Sequence, residues 1–513
     1  MGAVTLSAVA GLGPLGRLAA QDRYDQEALL QFYPLGQITL MHLSDLHGHL
    51  LPLYHREPEV HLGPDGQQRA VPHLTGEALR VAYGIGGRGP MDYALTHEDF
   101  AALARAYGKM GGLARIATVV QAIRAARPGA LLLSGGNMWS EEARETAQLL
   151  EALRVDAAAC GNELDAAASA PNFPLLAQNA TEDRDALTPD ARFERGGTQI
   201  AVIGQAFARV PGWTKGVAAA RLQERVDKAR AEGAGVVVLL SQAGFGADMK
   251  LAQTISGLDI ILSGHDQIAL PEPLIVEGTH LVASGSHGKF LSRLDLEVTE
   301  GRLTGLRHRL IPIFAQIIGP DAQLARRIAA VRAPFAAELD AIVGRAEGLL
   351  FRRGTYAATW DTLIGTALAR QMDAEIVLTP GTRWGRSVLP GDPITRADIR
   401  SVTGARSRGA RKEMTGAALK DRLEQAADEL FRPDPFERIP RDMVRAQGLR
   451  FRVDAAAPLG QRIKDLTLAR TGVPLEPGKG YAVATQDSAS ADESGAPLTE
   501  TVERHMTRFY PAR

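Results

Sequence analysis

An α/β fold is predicted by two observations. Short apolar runs at residues 37–43, 130–133, 199–204, 236–240 and 259–262 have the length and composition of buried strands. Helix-length stretches at 111–126, 141–153 and 221–232 alternate with them, the first clearly amphipathic. Polar residues gather just after the strands, as Ser44-Asp45-Leu46-His47, Ser134-Gly135-Gly136-Asn137, Gly161-Asn162-Glu163, Ser241-Gln242 and Ser263-Gly264-His265-Asp266-Gln267. In α/β architectures ligands bind at that edge, where loops and helix N-termini converge.

Taken in order, residues 37–43 form the first strand, and Asp45 and His47 follow it at a spacing that lets a carboxylate and an imidazole reach one cation. Residues 48–108 are rich in His, Gly and Pro with little periodicity and read as a long connection; within it Tyr54–Pro58 is a stretch that can face a substrate. Residues 280–286 and the alternating 292–298, which turns at Glu300-Gly301, predict added antiparallel strands. A charged helix at 320–345 reads as a connector. Beyond it a second domain carries a strand at 375–379, the loop words Gly381-Thr382-Arg383-Trp384-Gly385 and Leu389-Pro390-Gly391, and a helix at 416–430.

At 513 residues two domains are the better expectation. Lys and Arg number 58 against 59 Asp and Glu, so no basic field favours nucleic acid. Cys160 is the sole cysteine; an intrachain disulfide is impossible, and at an apolar strand end it reads as a small core residue. Residues 2–20 are Gly-, Ala-, Leu- and Val-rich and end Leu18-Ala19-Ala20, like the apolar part of a secretory signal without its basic start. Their glycines and Pro14 make a poor membrane helix, and no other segment is long and apolar enough to span a bilayer.

The words Leu51-Pro52-Leu53-Tyr54, Arg56-Glu57-Pro58, Tyr107-Gly108-Lys109, Ala177-Gln178-Asn179, Ile203-Gly204-Gln205-Ala206-Phe207, Gly288-Lys289-Phe290-Leu291 and Arg383-Trp384-Gly385, in this order, carry a resemblance. From Gln37 onward the chain resembles the metal-dependent 5′-nucleotidase family of the metallophosphoesterase superfamily, most of all its sulfur-oxidation (Sox) thiosulfohydrolase branch, SoxB. The resemblance implies a leader at 1–26, a four-layer metallophosphoesterase domain at 27–318, a linker helix at 319–345 and a C-terminal substrate-binding domain at 346–513. It also implies a periplasmic protein, two manganese ions, and hydrolysis of sulfate from a thiosulfonate borne on the cysteine of a Sox sulfur-carrier partner. In such chemistry a metal-bound water becomes a nucleophile near neutral pH, and both cations stabilise the charge on the oxyanion.

Against that family's ligand set, Asp45, His47 and His265 match. Asn137 stands where the bridging aspartate is expected, Gln242 and Gln267 stand where histidines are expected, and Asn162 and Glu163 occupy the word that carries the nucleotidases' catalytic histidine. A neutral carboxamide neither offsets cation charge nor donates as strongly as imidazole. Arg383 and Arg386, with Trp384 between them, are expected to contact an anionic substrate group, since guanidinium matches sulfate or carboxylate oxygens; structural pairing is the alternative. His42 reads as packed within its strand, and His49, His55, His61 and His73 are the available replacement ligands. The expectation is a degenerate dimetal site holding one weak divalent metal (manganese) or none, in a carrier-binding pseudoenzyme. The alternative is a hydrolase acting on the thiosulfonate carrier or on nucleotides through one residual metal.

Overall fold

The computed structural model describes residues 25–61, 73–138, 148–161, 172–181, 187–207, 214, 216–404, 406–438, 442–487 and 495–510. The chain divides into two compact units, residues 1–53, 80–95 and 103–331 in the first and 54–79, 96–102 and 332–513 in the second.

The first unit is built on two sheets. One holds β1 (Ile38–Leu43), β2 (Leu131–Ser134), β3 (Ala157–Ala159), β4 (Leu175–Leu176) and β5 (Leu187–Thr188), all parallel, extended on the β1 side by antiparallel β12 (Phe290–Thr299) and β13 (Arg302–Pro312). The other holds parallel β7 (Thr198–Gln205), β8 (Val236–Ser241), β9 (Ile260–Ser263) and β11 (Thr279–Ala283), with antiparallel β6 (Asp190–Arg195) and β10 (Leu274–Val276) at its edges. Ile38, Leu40, Leu131 and Leu133 of the first sheet share one buried core with Ile200, Val202, Val236, Val238, Leu240 and Ile260 of the second. The alternation is that of a sandwich whose inner faces interdigitate. Gly204 lets β7 approach β4 closely: a Cβ there would collide with Leu176 of β4.

Three local expectations change. The stretch at 48–108 is not a plain connection, because Gly76–Tyr83, Pro90–Leu95 and Phe100–Tyr107 are helices of only six to eight residues, too short to show a period in sequence. The strand expected at 280–286 runs parallel to β9 and antiparallel only to β10. The charged helix spans Ala322–Arg332 and gives way at Pro334, which lacks the N–H a continuing helix needs, to a 3₁₀ turn, a short helix Ala336–Leu339 and a strand β14 (Ile342–Arg345). Cys160 is buried among Ala177, Ala180 and Ala206, as a small core residue. Residues 141–147 of the helix expected at 141–153 and the leader-like residues 2–20 lie outside the described residues.

The second unit carries a five-stranded sheet in the order β18 (Arg445–Gln447), β15 (Ile376–Thr379), β21 (Gly480–Asp487), β17 (Arg408–Thr415) and β22 (Ala496–Pro497). Two antiparallel pairs accompany it, β14 with β16 (Pro393–Thr395) and β19 (Leu449–Val453) with β20 (Ile463–Leu468). Helices Thr359–Met372 and Gly416–Phe431 supply separate apolar clusters, around Trp360, Ile364 and Leu368 and around Leu419, Leu423 and Ala427. Among the described residues no helix is long and apolar enough to cross a membrane.

A polar chain is built into the first sheet's interior. His42 Nδ1 lies 2.7 Å from Ser284 Oγ, Ser284 donates to Ser292 Oγ at 2.8 Å, and Ser292 Oγ lies 3.0 Å from His308 Nε2. Burial pushes His42 down to about 3, helped by the charge of His308, and pushes His308 down to about 4. Both rings are neutral in the folded state and gain protons more readily once unfolded. The stability they contribute is therefore complete above pH 6.5 and lost as pH falls toward 3. The expected loss is on the order of a few kcal/mol by pH 5. Melting curves of the parent and a His42→Asn/His308→Asn variant between pH 7 and 4 test this; an equally steep acid limb in the variant would refute it.

Candidate functional site

The polar residues that follow β1, β2, β8 and β9 converge, and local backbone geometry aims them. Asp45, His47, Asn137, His265 and Gln267 all adopt left-handed backbone, with φ of 52°, 49°, 52°, 71° and 58°. For residues with a Cβ this conformation costs of order 1 kcal/mol or more each, and such strain gathers at functional sites. The turns are knitted by backbone hydrogen bonds: Asp45 N–H donates to the Gly136 carbonyl at 3.0 Å and His47 N–H to that of Asn137 at 2.8 Å. His287, also left-handed at 57°, donates its N–H to the Asp45 carbonyl at 2.8 Å.

Asp45 is fully buried and its carboxylate is surrounded by donors. Oδ1 accepts from Asn137 Nδ2 at 2.8 Å, and Oδ2 accepts from Ser44 Oγ at 2.7 Å and from the His265 backbone N–H at 2.8 Å. Burial pushes its carboxyl up, against the pull of the His265 charge and of these hydrogen bonds. Asn137 Nδ2 also donates to Gln242 Oε1 at 2.9 Å, and Gln242 Nε2 donates to the Gly135 carbonyl. Gln267 Nε2 sits 2.9 Å from His47 Nε2; an amide nitrogen only donates, so the imidazole lone pair accepts. The His265 ring stacks on Phe207 at 4.5 Å, and His49 stacks on His287 at 5.0 Å.

The structure thus brings together Asp45, His47, Asn137, Gln242, His265 and Gln267. Asn162 and Glu163 lie outside the described residues. Ser44, Phe207 and His287 were not singled out in the sequence; Ser44 follows the last residue of β1 much as Ser241 and Ser263 close β8 and β9, a recurring strand-end serine that was visible.

The anion-binding expectation falls in the second unit. Arg383 donates from Nε to Asp442 Oδ1 at 2.9 Å, and Arg386 lies 3.5 Å from Asp398, so both are ion-paired. Trp384 is partly exposed at 38%. Asp442 is shared with Arg445, which pairs with Asp361 at 2.7 Å, and Asp361 also meets Arg352 at 2.8 Å. The stretch at 54–61 belongs to this unit: the Arg56 guanidinium lies over Phe351, Glu57 pairs with Arg353 at 2.7 Å, and His55 Nδ1 lies 3.2 Å from the Gly385 carbonyl. Burial, then the charges of Arg353, Arg383 and His73, hold His61 well below the ordinary histidine range. Each of these guanidinium groups meets a carboxylate, Arg383 and Arg445 sharing Asp442.

Residues 343–500 match the family model for the 5′-nucleotidase C-terminal domain. The sulfate thiohydrolase SoxB of Thermus thermophilus, solved in complex with glycerol, is 31% identical with a TM-score of 0.87, covering 93% of this chain and 95% of its own. The chain belongs to the 5′-nucleotidase/metallophosphoesterase family. A 5′-nucleotidase precursor, also of Thermus thermophilus, at 20% identity and a TM-score of 0.73 over 92% of this chain and 97% of its own, shares the fold. Human 5′-nucleotidase is 26% identical over 255 residues, 40% of this chain and 44% of the human one, so the match spans less than half of that relative's length. The two-domain α/β architecture expected from the sequence, a metallophosphoesterase domain followed by a 5′-nucleotidase C-terminal domain, is the one found.

Metallophosphoesterases use divalent metals, and the described residues of the site do not fit a pair of them. The set comprises one carboxylate, two imidazoles and three carboxamides, and it holds no second carboxylate to bridge two cations. Among the described residues no group of three or more His, Cys, Asp or Glu is placed to hold a metal. The lone pairs of Asp45 Oδ1 and His47 Nε2 instead accept from amide N–H groups. Replacing Asn137 by Asp would set two buried carboxylates in contact and strand the Gln242 carbonyl. We expect Asn137→Asp in metal-free buffer to lose about 3 kcal/mol, roughly 6–12 °C in melting temperature. An unchanged melting temperature would contradict the amide bridge.

Proposed function

We propose that this family member is a SoxB-like pseudoenzyme: a periplasmic binding protein for a sulfur-carrier cysteine bearing an anionic thiosulfonate, or for a free anionic sulfur compound, without two-metal hydrolysis. The observation that carries the reading is the Asn137 amide, which spans Asp45 and Gln242 at 2.8 and 2.9 Å and offers hydrogen-bond donors in place of cation charge. The similarity to a sulfate thiohydrolase over nearly the full chain supports the substrate class. The signal-like residues 2–20 support the compartment. Arg383 and Arg386, with Trp384 beside them, are the groups we assign to the anionic end, because guanidinium matches sulfate oxygens, although each also has a carboxylate partner.

The deciding measurement is metal content and manganese titration of the purified protein, alongside assays on a cysteine S-thiosulfonate peptide and on nucleoside monophosphates. The expected outcome is substoichiometric manganese, no turnover, and binding of the thiosulfonate peptide that weakens about 10–100-fold in Arg383→Ala, the worth of one charge-assisted hydrogen bond. Near-stoichiometric manganese with turnover of either substrate would overturn the reading. An Asn137→Asp/Gln242→His/Gln267→His variant should gain manganese binding. A folded triple variant that binds none would show that these six positions are not the descendants of a dimetal site.

A further inference from the structure

The six residues of the site sit on loops whose positions must be held to within a fraction of an ångström, because there is no slack between them. A Cβ on Gly264 would lie 2.6 Å from both Gln242 Nε2 and Ser44 Oγ, and one on Gly136 would lie 2.9 Å from Gln242 Cγ and from the Ala159 carbonyl. Gln242 leaves the end of β8 and His265 leaves the end of β9, and these ends are paired residue for residue, Ser241 against Ser263. Below them the helix Phe245–Thr254 presents a fully buried acid, Asp248, in its first turn. Its Oδ1 accepts from Ser241 Oγ at 2.6 Å and its Oδ2 from Ser263 Oγ at 2.5 Å. The same helix start is tied to the second loop again, where the Phe245 N–H donates to Asp266 Oδ2 at 2.7 Å.

We propose that Asp248 is the positioning residue of this site: one carboxyl group holds the ends of β8 and β9 together and so sets where Gln242 and His265 project. The inference rests on taking these residues as the site, as the proposed function does, but it holds whether or not a metal binds. A buried acid on a helix face otherwise made of Phe245, Ala247, Leu251 and Ala252 is costly unless its acceptors are used. Both are used, and by the residues immediately preceding the two site loops. Burial pushes the carboxyl up to about 7, Asp266 adding to the rise and the two serine hydroxyls opposing it. Near neutral pH the group therefore passes between a carboxylate that accepts from both hydroxyls and an acid that must donate to one.

The test uses the full chain, metal-free and ¹⁵N-labelled at Asn and Gln, and follows the side-chain amide signals of Gln242 and Asn137. In Asp248→Ala these signals are expected to shift and their hydrogens to exchange at least about tenfold faster, the size of one lost hydrogen bond to a charged acceptor. Ser263→Ala should move them less. Asp248→Asn, which keeps one acceptor and turns the other into a donor, should restore most of the protection. A role confined to general stability would lower the melting temperature and leave the two amides where they are. If Asp248→Ala does not fold, Ser263→Ala decides: unchanged Gln242 and Asn137 signals in either folded variant overturn the proposal. No metal enters this experiment, so its failure and that of the manganese titration are separate results.

Discussion

The site depends on one amide group. Asn137 places two N–H bonds between the Asp45 carboxylate and the Gln242 carbonyl, where a dimetal hydrolase of this family needs a charged bridge. A hydrogen bond to a buried carboxylate contributes about 1.5–3 kcal/mol, and leaving that carboxylate unpaired costs more. The amide thus supplies locally what cations supply elsewhere, cohesion among polar groups driven toward one another by the fold. It does not supply charge. A carboxamide cannot lower the pKa of a water or balance an oxyanion as a cation pair does, so this network lends the loops cohesion without contributing the charge that two-metal hydrolysis relies on.

Around that bridge the architecture is conventional. Parallel strands deliver their C-terminal ends to one edge, the turns there take left-handed backbone, and the side chains meet across the sandwich. Holding them takes a supporting layer of strand-end hydroxyls: Ser44 on Asp45, Ser241 and Ser263 on Asp248, and Ser284 and Ser292 between two neutral histidines. Each hydroxyl can donate and accept at once, which lets it link a buried carboxyl or a neutral ring to its neighbours.

Much of this was legible in the sequence, and the part that was not has identifiable causes. The apolar runs ending at Leu43, Leu133, Leu240 and Leu262 became strands with small shifts at their ends, because burial on both faces gives an uninterrupted signal. The helices at 76–107 were missed because six to eight residues do not establish a period. The parallel direction of β11 depends on pairing with a distant strand and has no local signature. At the site, residue types and loop positions were readable, but the hydrogen bonds among Asp45, Asn137 and Gln242 were not. They join positions separated by 92 and 105 residues and follow from the sandwich bringing sheet edges together. Arg383 and Arg386 show the converse limit: residue type leaves them open to anion contact or to structural pairing, while their carboxylate partners Asp442 and Asp398 become visible only in three dimensions.

The left-handed turns have a consequence for the history of the site. Asp45, His47, Asn137, His265 and Gln267 all keep left-handed backbone, so the conformation is shared by the positions that match the family's ligands and by two of the three that carry amides. The scaffold still aims these positions inward. In the genetic code Asn and Asp codons differ by one nucleotide, as do Gln and His codons. Three point changes in the gene therefore separate the present residue set from the one a dimetal hydrolase needs at these positions, and the costly part of the design, the aimed backbone, has not been dismantled.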